Sequence, residues 1–197
     1  MNERPTIVRQ PATYQDVLDA PENMVAELID GTLYLQPRPA SPHARMASGL
    51  GGELYGPYDR GSSGPGGWWI LDEPELHFGA DVLVPDLAGW RRERMPRMHS
   101  VASFDLAPDW VCEVASPSTR RLDRSRKRDI YAAAGVRYLW LVEPVARTLE
   151  VFELRDGLWS LLATIVDEGE HRIPPFETVP IDLTGLWAED DQGEPEA

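Results

Sequence analysis

Two apolar runs, each broken by a single carboxylate, place the tightest limits on how this chain can fold. Asp86 interrupts VLVPDLAGW and Glu113 interrupts WVCEVAS. Side chains alternate along a strand, so Glu113 shares a face with Val111 and Ala115. An ionised carboxylate inside an apolar sheet is expensive unless it is paired or bound to a metal. Two readings follow. Each acid lies at a strand end, solvated or accepting backbone hydrogen bonds, or the two acids on separate strands share a cation.

The rest of the chain supplies the elements around these runs. Residues 13–22 read as a short helix with Thr13 as its N-cap. Strands are expected at 24–29 and 32–36, joined at Asp30-Gly31, a dipeptide suited to a two-residue hairpin in which both turn positions need positive φ. Ser41-Pro42-His43 reads as a helix start, with Ser41 as cap and Pro42 at the first helical position. Ala44, Ala47, Leu50 and Leu54 form its apolar stripe. Residues 56–67 (GPYDRGSSGPGG) lack the Gly-Lys-Ser/Thr ending of a phosphate-binding loop and read as a flexible turn. Strand candidates WWILDEPELHF, DVLVPDLAGW and DWVCEVAS come next, then a helix over 123–134 stopped by Gly135, the strand YLWLVEP, and a second hairpin turning at Asp156-Gly157. No internal repeat is visible. The expected fold is α/β, one domain over residues 1–187 with helices flanking a mixed sheet and additional β-hairpins.

The helix after Glu113 carries Lys127, the only lysine against eighteen arginines. Helical spacing puts it on the stripe of Asp123, Ile130, Tyr131 and Ala134, while Arg124, Arg128 and Asp129 face solvent. A chain that uses arginine for solvated charge has placed its one compact ammonium on an inward face. The group differs from guanidinium in having a readily shifted pKa. The bland alternative is a lysine stem lying along the core with its head in water.

The formal net charge of −14 argues against a nucleic-acid partner at first. Its distribution alters that reading. Residues 188–197 hold five acids and no base, an expected disordered tail, whereas residues 91–128 hold ten of the nineteen basic residues and five acids. Arg91, Arg92, Arg94, Arg97, Arg120, Arg121 and Arg124 could line an approach for a phosphate backbone, or simply form a solvated face. The single cysteine, Cys112, excludes an intrachain disulfide framework and a multi-cysteine zinc site. No stretch approaches the ~20 apolar residues of a membrane span, and the N-terminus does not read as a signal peptide. A cytoplasmic location and no membrane partner are therefore expected. His77, His99 and His171 show no metal-ligand spacing.

ELIDG, SPH, PDLAGW, DWVCEVASPST and DRSRKRDIYAAAGVRYLWLVEP follow one another in an order that resembles the Uma-type family of candidate restriction endonucleases, part of the PD-(D/E)xK nuclease superfamily. The resemblance runs from about residue 13 to about residue 165. It implies a restriction-endonuclease-like mixed sheet and a metal-dependent phosphodiesterase site. Pro85-Asp86 matches the family's PD, and Glu113 matches the acid of the second motif. Ala115 stands where the superfamily's lysine is usual, and Lys127 on the following helix takes that part. Glu27 in ELIDG and His43 in SPH match further positions of the pattern.

These residues suit phosphoryl chemistry. Mg²⁺ (or Mn²⁺) takes oxygen ligands, commonly one or two carboxylates with water and phosphate, and Asp86 and Glu113 are the expected metal ligands. The expected catalytic set is Asp86, Glu113, Lys127 and Glu27. Lys127 orients the attacking water or stabilises growing negative charge, and Glu27 completes the metal shell or accepts the water's proton. His43, in the first turn of its helix where free N–H groups attract anions, and Arg124 are expected to contact substrate. The function expected is a Mg²⁺-dependent endonuclease on DNA, with an RNA or small-phosphodiester nuclease as a weaker variant. The alternative is a nuclease-fold module that no longer cuts and acts as a binding or regulatory partner. A homodimer through exposed edge strands, with Trp140, Trp159 and Trp187 nearby in sequence, is compatible with either.

Overall fold

The computed structural model describes residues 6–9, 11–37, 40–116, 120–166 and 168–187. The Ser-Pro-Ser-Thr motif beyond its first residue and the acidic C-terminal stretch lie outside them.

Strands β1 (Thr6–Arg9), β2 (Met24–Ile29), β3 (Thr32–Pro37), β5 (Glu75–Phe78), β6 (Asp81–Leu83) and β8 (Ser103–Phe104) form one sheet, ordered β1-β3-β2-β6-β5-β8. The second is ordered β12-β11-β10-β9-β7-β4, from β4 (Trp68–Asp72), β7 (Leu87–Arg91), β9 (Trp110–Val114), β10 (Tyr138–Glu143), β11 (Thr148–Arg155) and β12 (Leu158–Ile165). A hairpin, β13 (Glu170–Ile173) and β14 (Phe176–Asp182), stands apart. Both six-stranded sheets are mixed, through the parallel pairs β5–β8 and β9–β10. The α/β expectation holds, with two sheets in place of one.

The division follows from two prolines. The runs 68–78 and 81–90, each read above as one strand, break near Pro74 and Pro85. Proline lacks the N–H a central strand must donate. The chain therefore crosses from β4 to β5 and from β6 to β7, changing sheet each time. Asp86 sits at the second crossing, beside the end of β7.

Both expected hairpin turns form. Asp30 and Gly31 have φ of 50° and 69°, and Asp156 and Gly157 have 51° and 77°. Helix α1 is shorter than expected, Tyr14–Leu18, opened by Thr13 N–H donating to Asp16 Oδ2 at 2.8 Å. Helix α2 covers Ser41–Leu54, and its N-cap is Ala40, so Ser41 is the first helical residue and does not cap. The expected flexible turn at 56–67 begins instead as a π-helical turn over Tyr55–Arg60. Its buried Asp59 accepts the Ile70 N–H at 2.8 Å, and Arg92 donates to the Asp59 carbonyl at 2.8 Å.

Two cores flank the second sheet. On one face α2 and the β13–β14 hairpin cover Trp68, Trp110, Cys112, Trp140 and Val142. Trp140 and Trp187 are both buried there, so neither supplies a docking surface. On the other face Ala88, Trp90, Val111, Leu139 and Leu141 meet Leu76 and Leu83 of the first sheet. Parallel neighbours need a long crossover connection, and the β9–β10 pair receives one: α3 (Arg120–Leu122), a π-helical turn (Asp123–Lys127) and α4 (Arg128–Ala133) run continuously over this second face. Gly135, with φ of 78°, ends the helix as expected. Trp159 Nε1 ties β12 to the Arg128 carbonyl at 3.0 Å. The outer edge of the sheet is β12, where Leu158, Leu161 and Leu162 are exposed.

Candidate active site

The crossover helix, the first hairpin and the two strand-borne acids meet between the sheets. Lys127 Nζ lies 2.9 Å from Glu27 Oε1, 2.8 Å from Glu113 Oε1 and 3.5 Å from Asp123 Oδ1. The lysine is 2% exposed, so its head is not in water and the snorkelling alternative fails. Tyr131, one turn further along the helix, donates to Glu113 Oε1 at 2.5 Å.

Each partner arrives by an identifiable route. Glu27 stands opposite Tyr34 in the first hairpin, and Gln36, the next residue on that face of β3, donates to Glu27 Oε2 at 2.8 Å. Where the chain leaves β6, the Val84 N–H donates to Glu27 Oε1 at 2.9 Å. Leu87 pairs with Cys112, so Asp86 continues the ladder beside Glu113. The Val114 N–H donates to Asp86 Oδ2 at 2.6 Å, and His43 Nε2, from the first turn of α2, lies 3.0 Å from Asp86 Oδ1. Asp86 thus accepts a backbone hydrogen bond, as one of the two readings required, whereas Glu113 is paired with Lys127 and Tyr131.

Electrostatics follow from burial and from an excess of acids. Burial raises the Glu113 carboxyl well above the usual range; Lys127 opposes this, while Asp123, Asp86 and Glu27 add to it. Burial disfavours the Lys127 ammonium, but Glu113 and Glu27 outweigh it and hold the group well above the ordinary lysine value. Burial likewise opposes a charge on His43, and the hydrogen bond and charge of Asp86 reverse that, raising the imidazole above 6.5. All three directions express one imbalance: acidic side chains (Glu27, Glu113, Asp123, with Asp86 nearby) outnumber the bases set among them, an oxygen-rich surround of the kind a divalent cation prefers.

The donor chemistry fits Mg²⁺ or Mn²⁺. Asp86 and Glu113 present hard oxygens from adjacent ladder positions. Among the described residues no three His, Cys, Asp or Glu side chains form a ready-made metal cage. A magnesium site does not require one, since one or two carboxylates suffice when water and phosphate complete the shell.

The structure brings together Asp86, Glu113, Lys127, Glu27 and His43, and leaves Arg124 outside. Arg124 Nη2 is 2.7 Å from Glu143 Oε1 and 2.6 Å from Glu150 Oε2, so its guanidinium is spent on two carboxylates of β10 and β11. Most of the other arginines of the expected approach also hold partners. Arg92 binds Asp59, Arg94 binds Asp109, Arg120 binds Glu143, and Arg91 stacks on Trp68. Arg97 and Arg121 remain exposed. Sequence reasoning gave no role to Tyr131, Gln36 or Asp123. Tyr131 and Asp123 lie four residues either side of Lys127, a spacing that signals a shared helix face. Asp123 and Lys127 bound the π-helical turn, a deviation that clusters at functional sites.

The sequence profile of the Uma2 family, described as "Putative restriction endonuclease", matches residues 11–188. The chain belongs to this family, and its class is that of a nuclease. No curated protein matches it. Among solved structures it is similar to a protein from Anabaena variabilis described as "a putative nuclease belonging to DUF820", with a TM-score of 0.70 and 21% identity, covering 90% of this chain and 98% of that one. That likeness shows the fold. No helix among the described residues is long and apolar enough to cross a membrane.

Proposed function

We propose that this protein is a Mg²⁺-dependent endonuclease that hydrolyses phosphodiester bonds in DNA. The observation that carries the reading is the buried meeting of Lys127 with Glu113 and Glu27, with the half-buried Asp86 continuing the β7–β9 ladder beside Glu113. Replacing buried ion pairs by apolar side chains often stabilises a protein, so such a cluster is the kind of feature retained for chemistry. DNA is favoured over RNA because the family is described in terms of restriction endonucleases.

Asp86 and Glu113 would hold the cation, which supplies polarisation of the scissile phosphate and a water of lowered pKa. His43 fixes the orientation of Asp86 by its hydrogen bond, the usual service of a neighbour to a ligand. Lys127 keeps its protons and offers them to the attacking water or to the phosphate oxygens as charge accumulates. Glu27, anchored by Gln36 and Val84, holds Lys127 from the far side. Plasmid DNA incubated with Mg²⁺ should be nicked or linearised, with loss of cleavage in EDTA and in Asp86→Ala. Equal trace cleavage by wild type and Asp86→Ala would mean contamination and would sink the reading. An RNA of the same sequence, tested alongside, should remain intact.

A further inference from the structure

The two oxygens of Glu113 are not equivalent. Oε1 accepts from Tyr131 Oη at 2.5 Å and lies 2.8 Å from Lys127 Nζ, whereas Oε2 accepts, among the described residues, from Lys127 Nζ alone, at 2.9 Å. A carboxylate oxygen offers two lone-pair sites. Oε1 is therefore saturated, and Oε2 keeps one site for a further partner.

The two donors also differ in how firmly they hold. Lys127 is a flexible point charge with three other carboxylate oxygens at hand. Tyr131 is fully buried, packs with Val111, Leu139 and Leu141, and meets the Phe78 ring edge-on at 6.3 Å. Its phenol is locked on Oε1.

We propose that Tyr131 makes Glu113 a one-oxygen ligand and thereby sets the cation preference of the site, favouring Mg²⁺ and Mn²⁺ over Ca²⁺. The proposal rests on the reading of Asp86 and Glu113 as metal ligands. Mg²⁺ demands near-octahedral single oxygens, whereas Ca²⁺ takes six to eight and readily accepts both oxygens of one carboxylate. Occupying Oε1 withholds a ligand that Ca²⁺ would use and that Mg²⁺ does not need. Tyr131 is thus a positioning residue, acting on the metal through Glu113.

Tyr131→Phe removes one oxygen and keeps the ring in its packing. Calorimetric titration of the full chain with Mg²⁺ and with Ca²⁺, without nucleic acid, reads the effect. In the variant the Ca²⁺-to-Mg²⁺ affinity ratio should rise about tenfold, the lower end of what loss of a ligand's supporting hydrogen bond typically does. A merely structural role would weaken both cations alike. An unchanged ratio in a variant that still binds Mg²⁺ overturns the proposal while leaving the metal site intact. A wild type that binds neither cation overturns the metal site as well. Difference infrared spectra of the wild type provide a measurement independent of how Tyr131→Phe folds. With Mg²⁺ bound, the carboxylate band lost in Glu113→Gln should show the wide splitting of one-oxygen ligation, and the narrow splitting of two-oxygen ligation would refute the idea.

Discussion

Strand β9 has two faces of opposite chemistry. Trp110, Cys112 and Val114 point toward α2 into an aromatic core, where Trp110 packs edge-on against Trp140 and Phe176, each at 5.0 Å between ring centroids. Val111 and Glu113 point the other way, and Glu113 enters the ionic cluster with Lys127. The first face stabilises by removing large apolar surfaces from water. The second carries desolvated charges whose mutual attraction at best offsets the cost of burying them. One five-residue strand thus anchors the fold on one side and presents the chemistry on the other.

Breaking the charged face should give the largest effect. Lys127→Met leaves Glu27, Glu113 and Asp123 facing one another without their ammonium. It should cost about 3–5 kcal/mol and abolish cleavage, measured by urea unfolding and a plasmid assay. Adding Glu113→Gln and Glu27→Gln to that variant should recover most of the stability and none of the activity. A triple variant as unstable as the single one would show that the cluster stabilises the fold in its own right. Trp110→Ala tests the opposite face. It should cost a comparable ~3–5 kcal/mol through lost burial and a cavity, yet leave Mn²⁺ affinity unchanged under conditions where the variant is folded. Weakened metal binding there would mean that the two faces are not separable.

The apolar face was the more legible in the sequence, since periodicity and turn chemistry located β9, both Asp-Gly hairpins and the helix ending at Gly135. The charged face was half legible. Asp86 and Glu113 stood out because an acid inside an apolar run demands a partner, and Lys127 because it is the sole lysine on an inward stripe. Tyr131 hid among the apolar members of its stripe, because a tyrosine there reads as core until its hydroxyl finds an acceptor. Gln36 depends on a diagonal neighbour across a hairpin, visible only once the register is known. The two-sheet division escaped because a proline inside an apolar run marks a break without saying that the chain changes sheet. The partners of Arg124 were not legible, because the count of positive charge over 91–128 leaves out Glu143 and Glu150, which lie outside that window and pair with the guanidinium.

A smaller effect should come from the rim of the cluster, at His43. Its folded-state pKa is raised above the ordinary 6.5 because Asp86 outweighs the burial that opposes the charge. The pair therefore contributes stability that is fully present below the ordinary value and is lost as pH climbs through the raised one. Melting curves of wild type and His43→Gln should differ most near about pH 6 and converge toward about pH 9, with a difference of at most about 1 kcal/mol. A gap independent of pH would mean that the imidazole meets Asp86 uncharged throughout.

The smallest effect belongs to the second charged cluster, on the same face of the sheet as Glu113 but over β10 and β11, and it sharpens the contrast between spent and available charge. Arg124 is half-buried and bridges Glu143 and Glu150, whereas a residue that grips a phosphate must have its guanidinium open. Each phosphate contact contributes roughly 0.9 to the slope of log binding constant against log salt. Arg124→Ala should leave that slope for DNA unchanged, and should cost at most about 1 kcal/mol of stability because a partly exposed pair is screened by water. A slope smaller by about one would mean that DNA strips Arg124 from its carboxylates on binding. The ion pairs over β10 and β11 would then be a reserve of phosphate contacts held closed in the free protein, and the outer face of the crossover helix would join the nucleic-acid surface.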